Sequence, residues 1–585
     1  MQASITSLLL ALTLSVGLSL PAQAQKEFEP SKDAFAQAGV PQGVMHQYQY
    51  RSKAGVFPGT VRDVWVYIPA QYVASKPAAL MVFQDGGGYT SRDGGYRFPT
   101  ILDNLIAHGE MPVTIAIMAN PGAVPPADDK TQLPRYNRSV EYDGVDDRFA
   151  TFLIDELIPD AVKRYKLNIS PDPRAHAISG GSSGGIAAFT AAWERPDYFG
   201  KVLGFISSFT DLRGGHNYPS LIRKLERKSI RVFLEEAVND QDIYSGSWPI
   251  GNTDVAAALE FAGYDYKFQT GPGGHDGRFA GAIFPDALKW LWRDGDNGSP
   301  KPKGSRQPLL NIALDESKEW SVVPGIVNPT AMAGTTNGTL FVAHDNKVSS
   351  VSDAGTLTQG VWQGVGTVRD LASCPDGSII AVTTKKTVLS LQTGAAPRML
   401  HRGLDAVAVT VRQDGSYYLL GSDGKVWFSG ADNKKQLLTT TTPGAATLQL
   451  TPDQSLLIVS PPANIGRYAT SWSVAKDGVL SNMQTYFDLY IPYGDTGSGV
   501  SDFGVDRDGW LYASSTIGVQ ILDQAGRVNA ILASPLRKAT GSIAFGGKGL
   551  KTLYHAAGGK LFSRVTRATG AVSDSASVRP PGPRL

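Results

Sequence analysis

Along the first half of the chain, short apolar runs alternate with stretches whose apolar residues recur every three or four positions. The runs at 78–83, 113–118, 175–179, 202–207, 230–234 and 264–268 read as buried strands. Between them, 146–165 places Phe149, Phe152, Leu153, Leu157 and Ile158 on one helical face. Strand and helix in alternation predict an α/β fold with a doubly wound, mostly parallel sheet. Its ligands then belong at the carboxyl ends of the strands.

The second half has a different rhythm. A polar turn followed by a short apolar strand recurs at Asn337, Asp376, Asp414, Asp453 and Asp508, and more weakly at Lys551. The starts lie 38 to 55 residues apart. Short strands repeating at that period predict propeller blades, six copies for six blades. The stretch 294–308, rich in Gly, Pro and charge, has no apolar run and separates the two patterns. The expected organisation is an α/β domain over 25–293, a linker over 294–309, an all-β six-bladed propeller over 310–570 and a disordered tail over 571–585.

A third pattern opens the chain. Residues 8–20 are nearly all apolar, Pro21 breaks the run, and Ala22-Gln23-Ala24 is a small-x-small cleavage site. This predicts a secretory signal over 1–24, although no Lys or Arg precedes the run. At 13 residues the run is short for a membrane span, so no membrane insertion is expected. The single cysteine, Cys374, excludes an intrachain disulfide and a cysteine metal cluster. An exported chain without disulfides suits a bacterial periplasm, or secretion. With 42% apolar and 18% charged residues the composition is globular, and a net charge of +2 does not point to nucleic acid.

The chemistry concentrates at Ile178-Ser-Gly-Gly-Ser182-Ser-Gly-Gly-Ile186, a G-x-S-x-G motif between an apolar strand and a helical stretch. That context predicts a nucleophile elbow presenting Ser182 above the sheet. A second frame centred on Ser183 also fits, but Gly180 and Gly184 flank Ser182. The base should follow in sequence, and His275, in the loop after the last predicted strand, is the candidate; His216 comes too early. Among Glu235, Glu236, Asp240 and Asp242, Asp240 stands first as the orienting acid, with Asp242 second and Glu236 possible. The oxyanion needs two N–H donors, assigned to Ser183 and to Gly87 in the loop Asp85-Gly-Gly-Gly-Tyr89. Tyr89 is expected to border the pocket. His46, His108 and His176 are read as structural.

Four segments, Phe83-Gln-Asp-Gly-Gly-Gly88, Arg135-Tyr-Asn-Arg-Ser-Val-Glu-Tyr142, Gly180-Gly-Ser-Ser-Gly-Gly185 and Gly273-Gly-His275, resemble the enterochelin-esterase-like branch of the esterase D superfamily. That superfamily also holds feruloyl and acetyl-xylan esterases. The resemblance implies a serine hydrolase of carboxylic esters, with Ser182, His275 and Asp240 as its triad and no cofactor. It leaves Arg138 and Glu141 as substrate contacts or as an ion pair supporting the site. Stretches 499–512 and 518–527 resemble gluconolactonase-like propellers, whose metal ligands are Glu, Asn and Asp. Here those positions read Val327-Asn-Pro329, Ala446 and Ser501, with Asp502 one residue away. No metal is therefore expected, and the propeller reads as non-catalytic, with a possible glycan contact. The competing readings are a metal-dependent lactonase in the propeller, a siderophore esterase, and a binding protein with a vestigial hydrolase.

Overall fold

A computed structural model of the chain describes residues 29–582 apart from 296–297, 316 and 431. The expected signal over 1–24 lies outside them. Among the described residues no helix is long and apolar enough to cross a membrane.

The N-terminal region is built on one mixed sheet. Its main strands are β1 (Val44–Arg51), β2 (Val61–Ile68), β3 (Ala79–Gln84), β4 (Thr114–Ala119), β5 (His176–Gly181), β6 (Lys201–Phe205), β7 (Arg231–Ala237) and β8 (Asp265–Gly271). The order is β8-β7-β6-β5-β3-β4-β2, with β1 on β2. Strands β3 to β8 are parallel, whereas β2 runs antiparallel to β4. All six residues of β3 and of β4 are buried, as expected of strands covered on both faces. Leu80 and Val82 point into one core and Met81 and Phe83 into the other. The first core holds helices α2 (Ser183–Glu194), α3 (Tyr218–Lys224) and α4 (Trp248–Ala262). The second holds α1 (Phe98–Ala107) and α5 (Arg278–Leu291).

The C-terminal region is a six-bladed β-propeller of antiparallel sheets. The six repeated turns each lead into the second strand of a blade, such as Ile379–Thr383 and Tyr417–Gly421. In two of those turns the sequence chemistry is visible: Asp376 accepts from the amide and hydroxyl of Ser378, and Asp414 from those of Ser416. The ring is closed by its earliest strand, Ser321–Val327, which pairs with Lys560–Val565 of the last blade.

The tail departs from expectation. Gly570–Ala571 adds to the inner edge of a blade, and residues 572–582 cross one mouth of the ring. Asp574 accepts from Thr336 N–H, Gln413 from Ser577 N–H, and Pro452 O from Val578 N–H. These backbone and carboxylate bonds order a segment whose Pro- and Arg-rich composition suggested none.

The two regions share a seam. Leu225, just past α3, bridges Ile531 on an outer blade strand, and Glu226 pairs with Arg564 at 2.6 Å. Asp147 meets Arg537 and Lys538. Apolar residues of the blade, including Leu522, Val528 and Ile531, belong to the same packed cluster as the first core.

Candidate active site

Ser182 sits between β5 and α2 with φ 56° and ψ −125°, a strained conformation for a residue with a side chain. The neighbours explain how the chain tolerates it. A Cβ at Gly180 would lie 2.4 Å from Gly184 O, and one at Gly185 would lie 2.4 Å from Ser207 Oγ. Only glycine at both positions lets the helix close this tightly on the sheet. The elbow is pinned by Ser182 N–H to Phe205 O at 3.0 Å and by Ser208 N–H to Ser182 O at 3.1 Å.

His275 lies in the loop between β8 and α5. Its Nε2 is 2.9 Å from Ser182 Oγ, and its Nδ1 is 2.6 Å from Asp240 Oδ1. Asp240 reaches it because the loops after β7 and β8 stay zipped: Val238 N–H donates to Gly271 O, and Asn239 N–H to Gly273 O. The Asp240 carboxyl is fully buried and the imidazole is 22% exposed. Trp248, at the start of α4, stands edge-on to the imidazole at 5.7 Å. The structure thus brings Ser182, His275 and Asp240 into one hydrogen-bonded chain. Asp242 is instead exposed in a two-residue hairpin strand. Glu236 lies behind Asp240, in contact with it. Ser183 begins α2 and its hydroxyl meets the Asp143 carboxyl, so it is not the residue facing the imidazole.

Tyr89 departs from expectation, and the other expected residues have definite partners. Gly87 N–H donates to Asn120 Oδ1 at 3.0 Å, so the amide assigned to an oxyanion is engaged in this state. Tyr89 is 3% exposed and packs among Phe83, Tyr96 and Phe284, because the short helical turn Gly86–Tyr89 directs its ring inward. Tyr96, stacked on it, takes the place beside Gly181 and Gly277. Arg138 and Glu141 both enter ion pairs that support the site, each with a partner outside their own segment. Arg138 grips Asp85 through two bonds of 3.0 and 2.9 Å, whereas Glu141 takes a fully buried, bidentate pair from Arg62. The Arg62 pair fixes the helix Arg138–Tyr142, and with it Arg138 against the glycine loop. His216 pairs with Asp211 at 3.1 Å and packs against Tyr493 of the propeller. His176 is held by Tyr198 O and Ser170 O, as a structural residue would be.

Sequence reasoning missed Asn120, Trp248, Ser208 and Tyr96. Asn120 follows β4 directly, and its place at a strand's carboxyl end was a usable signal. Trp248 carried none, since its approach to His275 depends on how α4 packs.

The electrostatics behind the triad are unusual. Burial pushes Glu236 up to about 10, reinforced by its hydrogen bond to Asp240, and pushes Glu235 up to about 8. Both shifts favour the neutral acid, more strongly at Glu236. A cavity of about 780 Å³ lies apart from these residues, at the seam between the regions, lined by Lys224, Tyr490, Trp510, Arg467 and Arg527.

At the last of the metal-aligned propeller positions, Ser501 and its neighbour Asp502 make contacts to adjacent strands. Ser501 Oγ donates to Gly541 O at 3.0 Å. Asp502 accepts from Thr447, Ser542 and the amides of Phe503 and Ile543.

Comparison with known proteins gives matches for both regions. Among solved structures, a gluconolactonase from Xanthomonas campestris is similar at 17% identity and TM-score 0.39, covering 44% of this chain and 93% of that one. A ferulic acid esterase is similar at 17% identity and TM-score 0.33, covering 44% and 99%. An enterobactin esterase from Shigella flexneri, solved in the presence of enterobactin, is similar at 18% identity and TM-score 0.35, covering 44% and 61%. The family model described as "Putative esterase" matches residues 57–398, from β2's approach into the second blade. That match spans more than half of the 585 residues, and the chain belongs to this esterase family.

Proposed function

We propose that the protein is an exported serine carboxylic-ester hydrolase acting on esters of carbohydrate or phenolic acids. The observation that carries this reading is the chain Ser182 Oγ, His275 Nε2, His275 Nδ1, Asp240 Oδ1, with links of 2.9 and 2.6 Å. In it, His275 takes the Ser182 proton as the hydroxyl attacks the ester carbonyl. It then returns that proton to the leaving alcohol, and Asp240 holds the imidazole tautomer and balances the imidazolium charge. Water repeats the sequence on the acyl-enzyme. Ser183 N–H, at the start of α2, has no partner within the helix and faces the developing oxyanion. Gly87 N–H, bonded to Asn120 Oδ1 in this state, is the second donor that this reading assigns.

The propeller's part is to hold glycan near the esterase, at the seam cavity. Trp510 and Tyr490 offer ring faces there, and the Arg467–Asp488 and Arg527–Asp523 pairs offer donors and acceptors with balanced charge. Export rests on the apolar run and cleavage pattern of residues 8–24.

Hydrolysis of p-nitrophenyl acetate and methyl ferulate by wild type and Ser182→Ala, with and without a chelator, tests the reading. The expected result is activity lost in the variant and indifferent to chelator. Activity that survives Ser182→Ala and falls with chelator would move the chemistry to the propeller. N-terminal sequencing of the mature protein is expected to begin at Gln25.

A further inference from the structure

Asp240 Oδ1 already accepts from His275 Nδ1 and from Gln241 N–H at 2.6 Å. Its Oδ2 is buried and has no N–H or O–H donor among the described residues. On the preceding strand, Glu236 Oε1 accepts from Ala237 N–H at 3.1 Å, while its Oε2 is likewise buried without a donor. Glu236 is 1% exposed and its carboxyl contacts that of Asp240. Two carboxylates cannot share such a site while both are ionised, because neither offers a proton and each repels the other. One proton between the two orphan oxygens satisfies both.

We infer that Glu236 is a positioning residue of the triad: as a neutral acid it donates its proton to Asp240 Oδ2, leaving the single negative charge of the pair on the side that faces His275. This rests on the serine-esterase reading and adds to it where the triad acid gets its support. The titratable groups that face Glu236 are Asp240 and Glu235, and Asp276 faces the imidazole beyond. None of them is a cation that could take the proton's place. High burial raises Glu236 in the same direction as the geometry requires. When His275 is protonated during turnover the shared proton stays on the pair, so the dyad keeps one full charge against the imidazolium.

The test compares Glu236→Ala with Glu236→Gln, whose amide N–H can replace the acid's O–H. Glu236→Ala is expected to lower kcat by about 10- to 100-fold with KM little changed, the loss typical of a charged acceptor deprived of its donor. Glu236→Gln is expected to restore most of that loss, and the acid limb of its kcat/KM profile, which reports His275, should coincide with wild type. If Glu236 were ionised, Gln would remove a negative charge beside the dyad and move that limb to lower pH. A moved limb, or Gln as slow as Ala, overturns the inference. Infrared difference spectra, wild type minus Glu236→Gln at pH 8, read the proton independently of turnover. A carbonyl stretch of a protonated acid is expected, and its absence overturns the inference even in a preparation without esterase activity. Such inactivity would count against the esterase reading alone.

Discussion

Two pairs of close carboxyls, one in each half of the molecule, are bonded differently. In the propeller channel, Asp370 gives one oxygen to Leu371 N–H at 2.8 Å and the other to Val409 N–H at 2.7 Å, and Asp502 is bonded at both oxygens to neighbouring strands. These bonds lace inner strands of the ring together. Behind the elbow, Asp240 and Glu236 each keep an oxygen with no N–H or O–H donor among the described residues, and the other oxygen of Asp240 meets His275 and Gln241 N–H. In the ring the carboxyls tie strands together, whereas behind the elbow the orphan oxygen of Asp240 lies on a residue that also meets an imidazole.

That contrast can be broken most sharply by exchanging charge for amide in both places. Asp240→Asn is expected to cut kcat by roughly 10³- to 10⁴-fold with a small change in melting temperature, because the imidazole loses its tautomer. Asp502→Asn should leave ester hydrolysis intact and lower the melting temperature instead. Kinetics and calorimetry on the two variants decide it, and the reverse pattern would dissolve the distinction. Next in size is Arg62→Met. It strands the Glu141 carboxylate in the core and is expected to cost about 3–5 kcal/mol in denaturant unfolding.

Smaller effects separate the halves by pH. Glu235 is held near 8 in the folded state, above its unfolded value, so the unfolded chain ionises first as pH rises. The stability this neutral acid allows is full at low pH and is lost between about 4.5 and 8. Glu235→Gln should therefore raise the melting temperature more at pH 8 than at pH 5. His555, in the propeller, is pushed down to about 4 by burial. Its contribution is full above its unfolded value of 6.5 and is lost as pH falls toward 4. His555→Gln should flatten the acid side of the stability curve, as scanning calorimetry from pH 4 to 7 would show.

How far these features could be read in advance follows from their range along the chain. The parallel strands were visible because burial on both faces leaves unbroken apolar runs, as in Leu80-Met-Val-Phe83. The elbow was visible because its glycines and Ser182 lie within six consecutive residues. The acid and base came from chain order and strand ends, which place Asp240 and His275 after adjacent strands. What stayed hidden depends on side-chain direction or on partners distant in sequence. The inward turn of Tyr89, the approach of Trp248 to His275 and the hold of Asn120 on Gly87 are of that kind. So is the exchange of partners by which Glu141 takes Arg62 and Arg138 takes Asp85. The tail misled because its contacts are made by backbone groups and by single side chains such as Asp574, which composition does not report.

The ring's closure by Ser321–Val327 against Lys560–Val565 has a consequence for the order of events during synthesis. The first strand of the ring emerges more than 230 residues before its partner. At about 5–20 residues per second that is a wait of tens of seconds at the slower rates. The α/β region has all its strands by then and can assemble first. Leu225 and its neighbours remain uncovered until the outer strand carrying Ile531 arrives. A chain halted between these points would carry a finished elbow and an open sticky flank.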